Sequence, residues 1–148
     1  MQHTKQGQLF TQIVLECFKL NGLLIAEGDQ ITSELGLSSA RWKTLGALSL
    51  STRPMTVPQI ATTMGQSRQS VQRLTDAMQK DGFLEYQENP YHKRAKLVAL
   101  TNEGERIYKL LEKKQIPWAN SSSANISAGD MNVTLTVLKK MIETFETS

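Results

Sequence analysis

The sequence has 148 residues, of which 39% are hydrophobic and 21% are charged, so it predicts one globular domain and excludes wholesale disorder. Its N-terminus lacks the layout of a signal peptide, no uninterrupted apolar run approaches the ~20 residues that cross a bilayer, and a single cysteine excludes an internal disulfide, so a cytoplasmic protein is expected. The net charge of +3 falls within residues 53–96, which hold seven basic and four acidic side chains, whereas the rest of the chain holds ten of each sign.

Two helices are predicted before residue 53. The first has apolar residues at the spacing of one helix face, and Gly28 is expected to end it. Those residues are Leu9, Phe10, Ile13, Val14, Cys17, Leu20 and Leu24. The second helix is expected to take Ser38 or Ser39 as its N-cap. Its inward side chains would be Trp42, Leu45 and Leu48.

A capping box predicts the start of the third helix. Thr56 stands three residues before Gln59, and Pro58 lies in the first turn, where its missing N–H costs nothing. Gly65 is expected to end this helix after Met64, because glycine adopts a positive φ without steric cost.

A fourth helix and a hairpin are predicted next. The helix would run from near Ser67 to Asp81-Gly82, and residues 84–88 and 96–100 have the composition of strands. The turn-rich sequence NPYHKR lies between them, so a hairpin with a long tip is expected.

Two helices are predicted to complete the chain. Thr101 is expected to cap the first, which would end near Pro117-Trp118, and Ser127 to cap the second. The apolar side chains on their faces are Ile107, Leu110, Leu111, Met131, Leu135, Leu138, Met141, Ile142 and Phe145. The expected fold is therefore mainly α, with four helices, a small β-hairpin and two more helices.

The third and fourth helices fit a helix-turn-helix. Ala61, Gly65 and Val71 have the spacing that this motif needs: a small residue where the helices cross, a glycine in the turn and an apolar anchor on the second helix. Val71, Leu74 and Met78 would form its buried stripe.

The opposite face of the fourth helix is polar and basic, with no acid between Ser67 and Thr75. Glutamine pairs with adenine and arginine with guanine in the major groove, while hydroxyls and helix-start N–H groups contact phosphate. A plain solvated face is the alternative, but its place beside a helix-turn-helix favours double-stranded DNA as the partner. The candidate DNA-binding residues are Ser67, Arg68, Gln69, Ser70, Gln72 and Arg73.

The hairpin tip adds Lys93, Arg94 and Lys96 to these candidates, and residues 89–96 contain no acid. A basic β-loop beside a helix-turn-helix is the layout of a winged helix, in which an arginine at the tip enters a minor groove.

The segment TVPQIATTMG…SVQRLTDAMQKDGFLEYQENPYHKRAKLVALTNEG resembles the MarR family of bacterial regulators. The resemblance implies one domain, with residues 1–30 and 101–148 as dimerisation helices and 38–100 as a winged helix-turn-helix lobe. It further implies a homodimer that binds a pseudo-palindromic operator, which it contacts with the fourth helix and Arg94. It also implies a repressor that leaves the DNA when a small molecule binds. The family usually has an aspartate at His92, which holds the wing arginine, and often an arginine at Tyr91.

Three further side chains are candidates through the same resemblance. Peroxide sensors of the family carry a reactive cysteine on the first helix, so Cys17 is a candidate redox residue, although Asn21 and Ile31 occupy the places of the supporting tyrosines. Trp42 and Trp118 are candidates for binding a small aromatic or amphipathic effector, with packing as the alternative for both.

Two other classes of protein, an enzyme and a protein-binding winged helix, are alternatives to a DNA-binding regulator. No nucleotide-binding, zinc-protease or serine-hydrolase motif is present in the sequence, so no enzyme, catalytic residue, metal or cofactor is expected. A winged helix that binds protein instead of DNA would show apolar side chains on the exposed face of residues 67–80. A thiol-based peroxide sensor using Cys17 remains the second alternative.

Overall fold

Within residues 1–146, which the computed structural model describes, six α-helices and the two strands of the hairpin follow one another in the expected order, and a further short strand precedes the third helix. Their bounds are α1 Lys5–Thr32, α2 Ser39–Leu50, β1 Met55–Thr56, α3 Val57–Met64, α4 Arg68–Lys80, β2 Leu84–Gln87, β3 Leu97–Leu100, α5 Asn102–Ser122 and α6 Ala128–Glu146. A single 3-10 turn, Ser33–Leu35, follows α1. The mainly helical winged fold is thereby confirmed. The chain divides into two compact units, Met1–Leu111 and Glu112–Ser148.

Helix α1 continues past Gly28 to Thr32, so the expectation that this glycine ends the helix is wrong. Gly28 is buried where α2 approaches α1, and a Cβ at this position would collide with Ser39 Oγ. Ser39 Oγ donates to Ile25 O at 2.7 Å, and Ser39 N donates to Asp29 Oδ1 at 2.8 Å. The glycine therefore permits a close contact between two helices instead of ending one of them.

The helix-turn-helix forms through the predicted caps. Thr56 N donates to Gln59 Oε1 at 2.9 Å and Gln59 N donates to Thr56 Oγ1 at 3.3 Å, which completes the capping box. Gly65 ends α3 with φ at +65°, and Ser67 caps α4 by accepting from Ser70 N at 3.1 Å. Ser38 likewise caps α2.

The sheet has a third strand that the sequence did not predict. The strand order is β1-β3-β2 with antiparallel pairing, in which Met55 pairs with Val98 and Leu84 with Leu100. Strand β1 was missed because two residues show no alternation of apolar and polar side chains. It joins the beginning of α3 directly to the hairpin.

Helix α5 runs through Pro117 to Ser122, so the predicted end near this proline is also wrong. Proline removes one backbone donor, but the turn beyond it stays bonded: Ser123 N and Ser123 Oγ both donate to Ala119 O, at 3.1 and 2.8 Å. Ser127 caps α6 by accepting from Asp130 N at 3.1 Å, as predicted.

The hydrophobic core lies in the first unit, beneath the helix-turn-helix. The predicted anchors Ala61 and Val71 are buried together with side chains from α2, α4, the sheet and α5. The fully buried apolar members are Leu45, Ile60, Val71, Met78, Val98 and Leu111. This core fixes α3, α4 and the sheet as one body.

Helices α1 and α6 instead expose large apolar side chains, among them Phe18 at 70% and Val133 at 63%. Among the described residues, the helix within Lys5–Leu35 is long and apolar enough to span a membrane by length and composition, with a mean hydropathy of 1.5 over an 18-residue window. Glu16 and Lys19 interrupt its apolar run, as the sequence shows, but they leave the average over the window high. Either a bilayer or another protein surface could cover such a helix.

Replacing Gly104 by alanine should destabilise the protein by about 1–3 kcal/mol, because overpacking a tight contact shifts backbone. A Cβ at Gly104 would collide with the carbonyl oxygen of Phe83, which also accepts from Thr101 N at 3.1 Å. Gly46→Ala is the matched control: its new Cβ would lie 3.7 Å from Tyr108, an ordinary contact, so helix propensity should add about 0.5–1 kcal/mol. Urea unfolding of both variants measures the difference, and equal stabilities would contradict it.

Candidate nucleic-acid interface

The outward face of α4 carries the predicted polar side chains. Arg68, Gln69, Gln72 and Arg73 are exposed, while Val71 and Met78 are buried on the other side. The first turn of α4 has no acidic residue, so no carboxylate offsets the partial positive charge of the N–H groups at the start of this helix. Two of the predicted DNA contacts, those of Ser67 and Ser70, are less accessible. The Ser67 hydroxyl accepts from Ser70 N as the helix cap, and Ser70 is half-buried.

The loop of residues 88–96 between β2 and β3 forms the wing, and Lys93, Arg94 and Lys96 are exposed on it. Asn89 shapes this loop: its Nδ2 donates to Ala95 O at 2.9 Å, and its Oδ1 accepts from Tyr91 N at 3.1 Å. Asn89 is buried, and the sequence analysis missed its role, although an asparagine before a proline is a known turn signal. Within residues 1–146, none of the three basic side chains has a hydrogen bond or ion pair.

Helix α4 and the wing together form one groove, here called the α4–wing groove, with a volume of about 600 Å³. Five predicted DNA-binding residues line it: Arg68, Gln69, Gln72, Arg94 and Lys96. Asp76 and Tyr86 also line it, so the groove holds three cations and one acid. Ser67, Ser70, Arg73 and Lys93 do not line it. The excess of cations and the free amide of Gln69 suit a polyanion whose edges carry hydrogen-bonding groups.

A hydrogen-bonded cluster joins α4 to β2 inside this groove. Tyr86 Oη donates to Asp76 Oδ1 at 2.5 Å and lies 2.8 Å from Thr75 Oγ1. Burial, and after it the hydrogen bond to Asp76, raise the pKa of the Tyr86 hydroxyl above its ordinary value, so it stays a donor at neutral pH. Gln72 Nε2 donates to Asp76 Oδ1 at 2.9 Å. The sequence analysis assigned no role to Asp76 or to Tyr86.

Comparison with known proteins identifies the family. The family model for MarR regulators matches residues 35–95, which contain α2, the helix-turn-helix and most of the wing. An uncharacterised protein of Mycobacterium tuberculosis is 31% identical over 131 residues, 88% of this chain and 90% of that protein. The chain belongs to the MarR family.

Two further similar proteins extend the likeness over more than nine-tenths of the chain. The transcriptional activatory protein BadR of Rhodopseudomonas palustris is 25% identical over 139 residues, covering 92% of this chain and 79% of BadR. A MarR/EmrR-family regulator from Acinetobacter sp. ADP1 superimposes with a TM-score of 0.83 at 16% identity, over 95% of this chain and 99% of that one. MarR proteins are transcription regulators that bind DNA as dimers. CouR from Rhodococcus jostii RHA1, whose crystal structure has p-coumaroyl-CoA bound, superimposes with a TM-score of 0.78 at 18% identity, over 88% of this chain and 91% of that one.

The remaining candidates lie outside the α4–wing groove. Trp42 is half-buried on α2 and packs against the core of the first unit, whereas Trp118 is half-buried on α5 in the second unit. Cys17 is a half-buried free thiol on α1. Effector binding by the tryptophans and redox chemistry at Cys17 stay predictions from the family resemblance.

Proposed function

We propose that this protein is a sequence-specific regulator of transcription that binds double-stranded DNA through the α4–wing groove. The observation that carries the proposal is the meeting of Arg68, Gln69 and Gln72 from α4 with Arg94 and Lys96 from the wing around one groove. In this assignment α4 enters the major groove and Arg94 reaches the adjacent minor groove. The other candidates, Ser67, Ser70, Arg73 and Lys93, would contact phosphate at its margins.

The protein is proposed to act as a homodimer on a pseudo-palindromic operator, with residues 1–30 and 101–148 forming the dimer and 38–100 the DNA-binding lobe. Support comes from the apolar side chains that α1 and α6 expose, because a second copy of the chain would bury this apolar surface. A bilayer is a poorer partner for α1, because Glu16 and Lys19 interrupt its apolar surface. A cytoplasmic protein follows from this choice.

The direction of regulation is proposed to be repression that a small aromatic or amphipathic effector relieves, with Trp42 and Trp118 as its contacts. One related chain, BadR, is named a transcriptional activatory protein, so activation is the alternative. Transcription in vitro from a template that carries the selected operator separates them: addition of the protein should lower the yield of transcript, and a higher yield would reverse this part of the proposal.

Salt-dependent binding to DNA is the decisive test of the function itself. The purified protein should enrich a pseudo-palindrome from a randomised duplex library, and its affinity should fall steeply with salt as phosphate contacts release counterions. Arg73 is exposed on α4 but outside the groove, so Arg73→Ala should weaken all sequences alike and lower the salt slope by about one. Failure of the wild type to enrich any sequence would remove the proposal and favour a protein-binding winged helix.

A further inference from the structure

The side-chain amide of Gln72 is held by its neighbours in the α4–wing groove. Its Nε2 donates to Asp76 Oδ1 at 2.9 Å and to Tyr86 Oη at 3.2 Å. Tyr86 in turn donates to the same Asp76 oxygen at 2.5 Å, and Thr75 Oγ1 lies 2.8 Å from Tyr86 Oη. These contacts join one turn of α4 to the middle of β2.

The hydrogen-bonding roles in this cluster allow only one orientation of the amide. The carboxylate of Asp76 accepts and never donates, so both of its contacts come from donors. Tyr86 has one hydroxyl hydrogen, which Asp76 takes, so its oxygen can only accept from Gln72. The amide nitrogen of Gln72 therefore faces the cluster. Its Oε1 has no partner within residues 1–146.

We propose that Tyr86 and Asp76 are positioning residues that make Gln72 an acceptor-only reader of DNA, an inference that rests on the proposed function. Bidentate recognition of adenine needs the glutamine N–H on N7 as well as its oxygen on N6. With the N–H groups already engaged, the oxygen selects any base that offers an exocyclic amino group in the major groove. Those bases are adenine, through N6, and cytosine, through N4.

Gln69 provides the contrast within the same groove. It lines the groove three residues earlier on α4, it is exposed, and no side chain within residues 1–146 holds its amide. Both ends of that amide are free to pair with one adenine. The two glutamines of α4 are therefore assigned different selectivities: Gln69 selects adenine alone, and Gln72 selects adenine or cytosine.

Binding-site profiles from a randomised duplex library test this assignment, with the wild type, Gln72→Ala, Tyr86→Phe and Asp76→Ala. Gln72→Ala should flatten one position in each half-site, which identifies the base that Gln72 contacts. At that position the wild type should accept adenine and cytosine within about threefold of each other and disfavour guanine and thymine. Tyr86→Phe and Asp76→Ala each remove an acceptor of the Gln72 amide and so free one of its N–H groups, and adenine should then exceed cytosine by about fivefold or more.

A control separates positioning from charge and from stability. Glu85→Gln removes the same charge from the neighbouring residue of β2, outside the cluster, and should change affinity without changing the profile. A purely structural role of Tyr86 would lower affinity for all sequences alike and leave the ratio of adenine to cytosine unchanged. Thermal unfolding of each variant confirms that the lobe is folded.

Three results overturn the inference while the proposed function stands. The first is an adenine-only preference of the wild type at the Gln72 position. The second is an adenine-to-cytosine ratio that neither Tyr86→Phe nor Asp76→Ala changes, and the third is a Gln72→Ala profile identical to that of the wild type. In each case the wild type still enriches a specific site. A wild type that enriches no site overturns both proposals together.

Discussion

Replacing Phe18 and Leu135 together by glutamate should convert the protein into a monomer and lower its affinity for a full operator by about 100-fold or more, since linked half-sites gain 10²–10⁴ in avidity. Both side chains are largely exposed in the single chain, Phe18 at 70% and Leu135 at 52%, so the substitutions leave the core of the chain intact. In a dimer they would bury charges without partners, which is costly.

Light scattering at micromolar concentration measures the oligomeric state, and circular dichroism checks that the helices persist. Ser49→Glu with Gln79→Glu is a matched control, because both residues are exposed polar positions outside residues 1–30 and 101–148 and the charge changes equally. The control should remain a dimer. A monomeric wild type, or a dimeric Phe18→Glu/Leu135→Glu variant, would contradict the assignment of α1 and α6.

Replacing Arg68 and Arg94 by alanine should give the second largest loss, with each substitution weakening the best site by about 1–3 kcal/mol. The two arginines line opposite sides of the α4–wing groove. Arg68→Ala should relax base preference at one position, because an arginine on guanine is bidentate. Arg94→Ala should weaken sites with A·T-rich flanks most, because a narrow minor groove attracts arginine.

Fluorescence titration at fixed salt measures both losses of affinity, with single-base variants of the site for Arg68→Ala and with A·T-rich and G·C-rich flanks for Arg94→Ala. Arg106→Ala is the control of equal charge change, since Arg106 is exposed on α5 and pairs with Glu103 at 2.6 Å, outside the groove. Equal losses of affinity on both kinds of flank would contradict the placing of Arg94 in the minor groove.

His92→Asp adds an acid to the wing. It should either order Arg94 and strengthen binding or repel phosphate and weaken binding.

Local rules within the sequence determined the elements of this protein and most of its DNA-binding candidates. The capping box at Thr56, the turn at Gly65 and the cap at Ser67 each act over three or four residues, so they are readable before folding. The buried stripe of α4 follows from helical periodicity in the same way, and it fixes which polar side chains face outward.

Tertiary contacts decided the features that the sequence did not reveal. A glycine is needed at position 28 within α1 because Ser39 of α2 approaches it closely. Strand β1 is defined by its pairing with β3. The state of Gln72 depends on Tyr86, fourteen residues away on another element. Helical periodicity predicts which way a side chain points. A hydrogen-bond partner on another element decides which atoms of that side chain remain free, and this partner is in place only when α4 packs on the sheet.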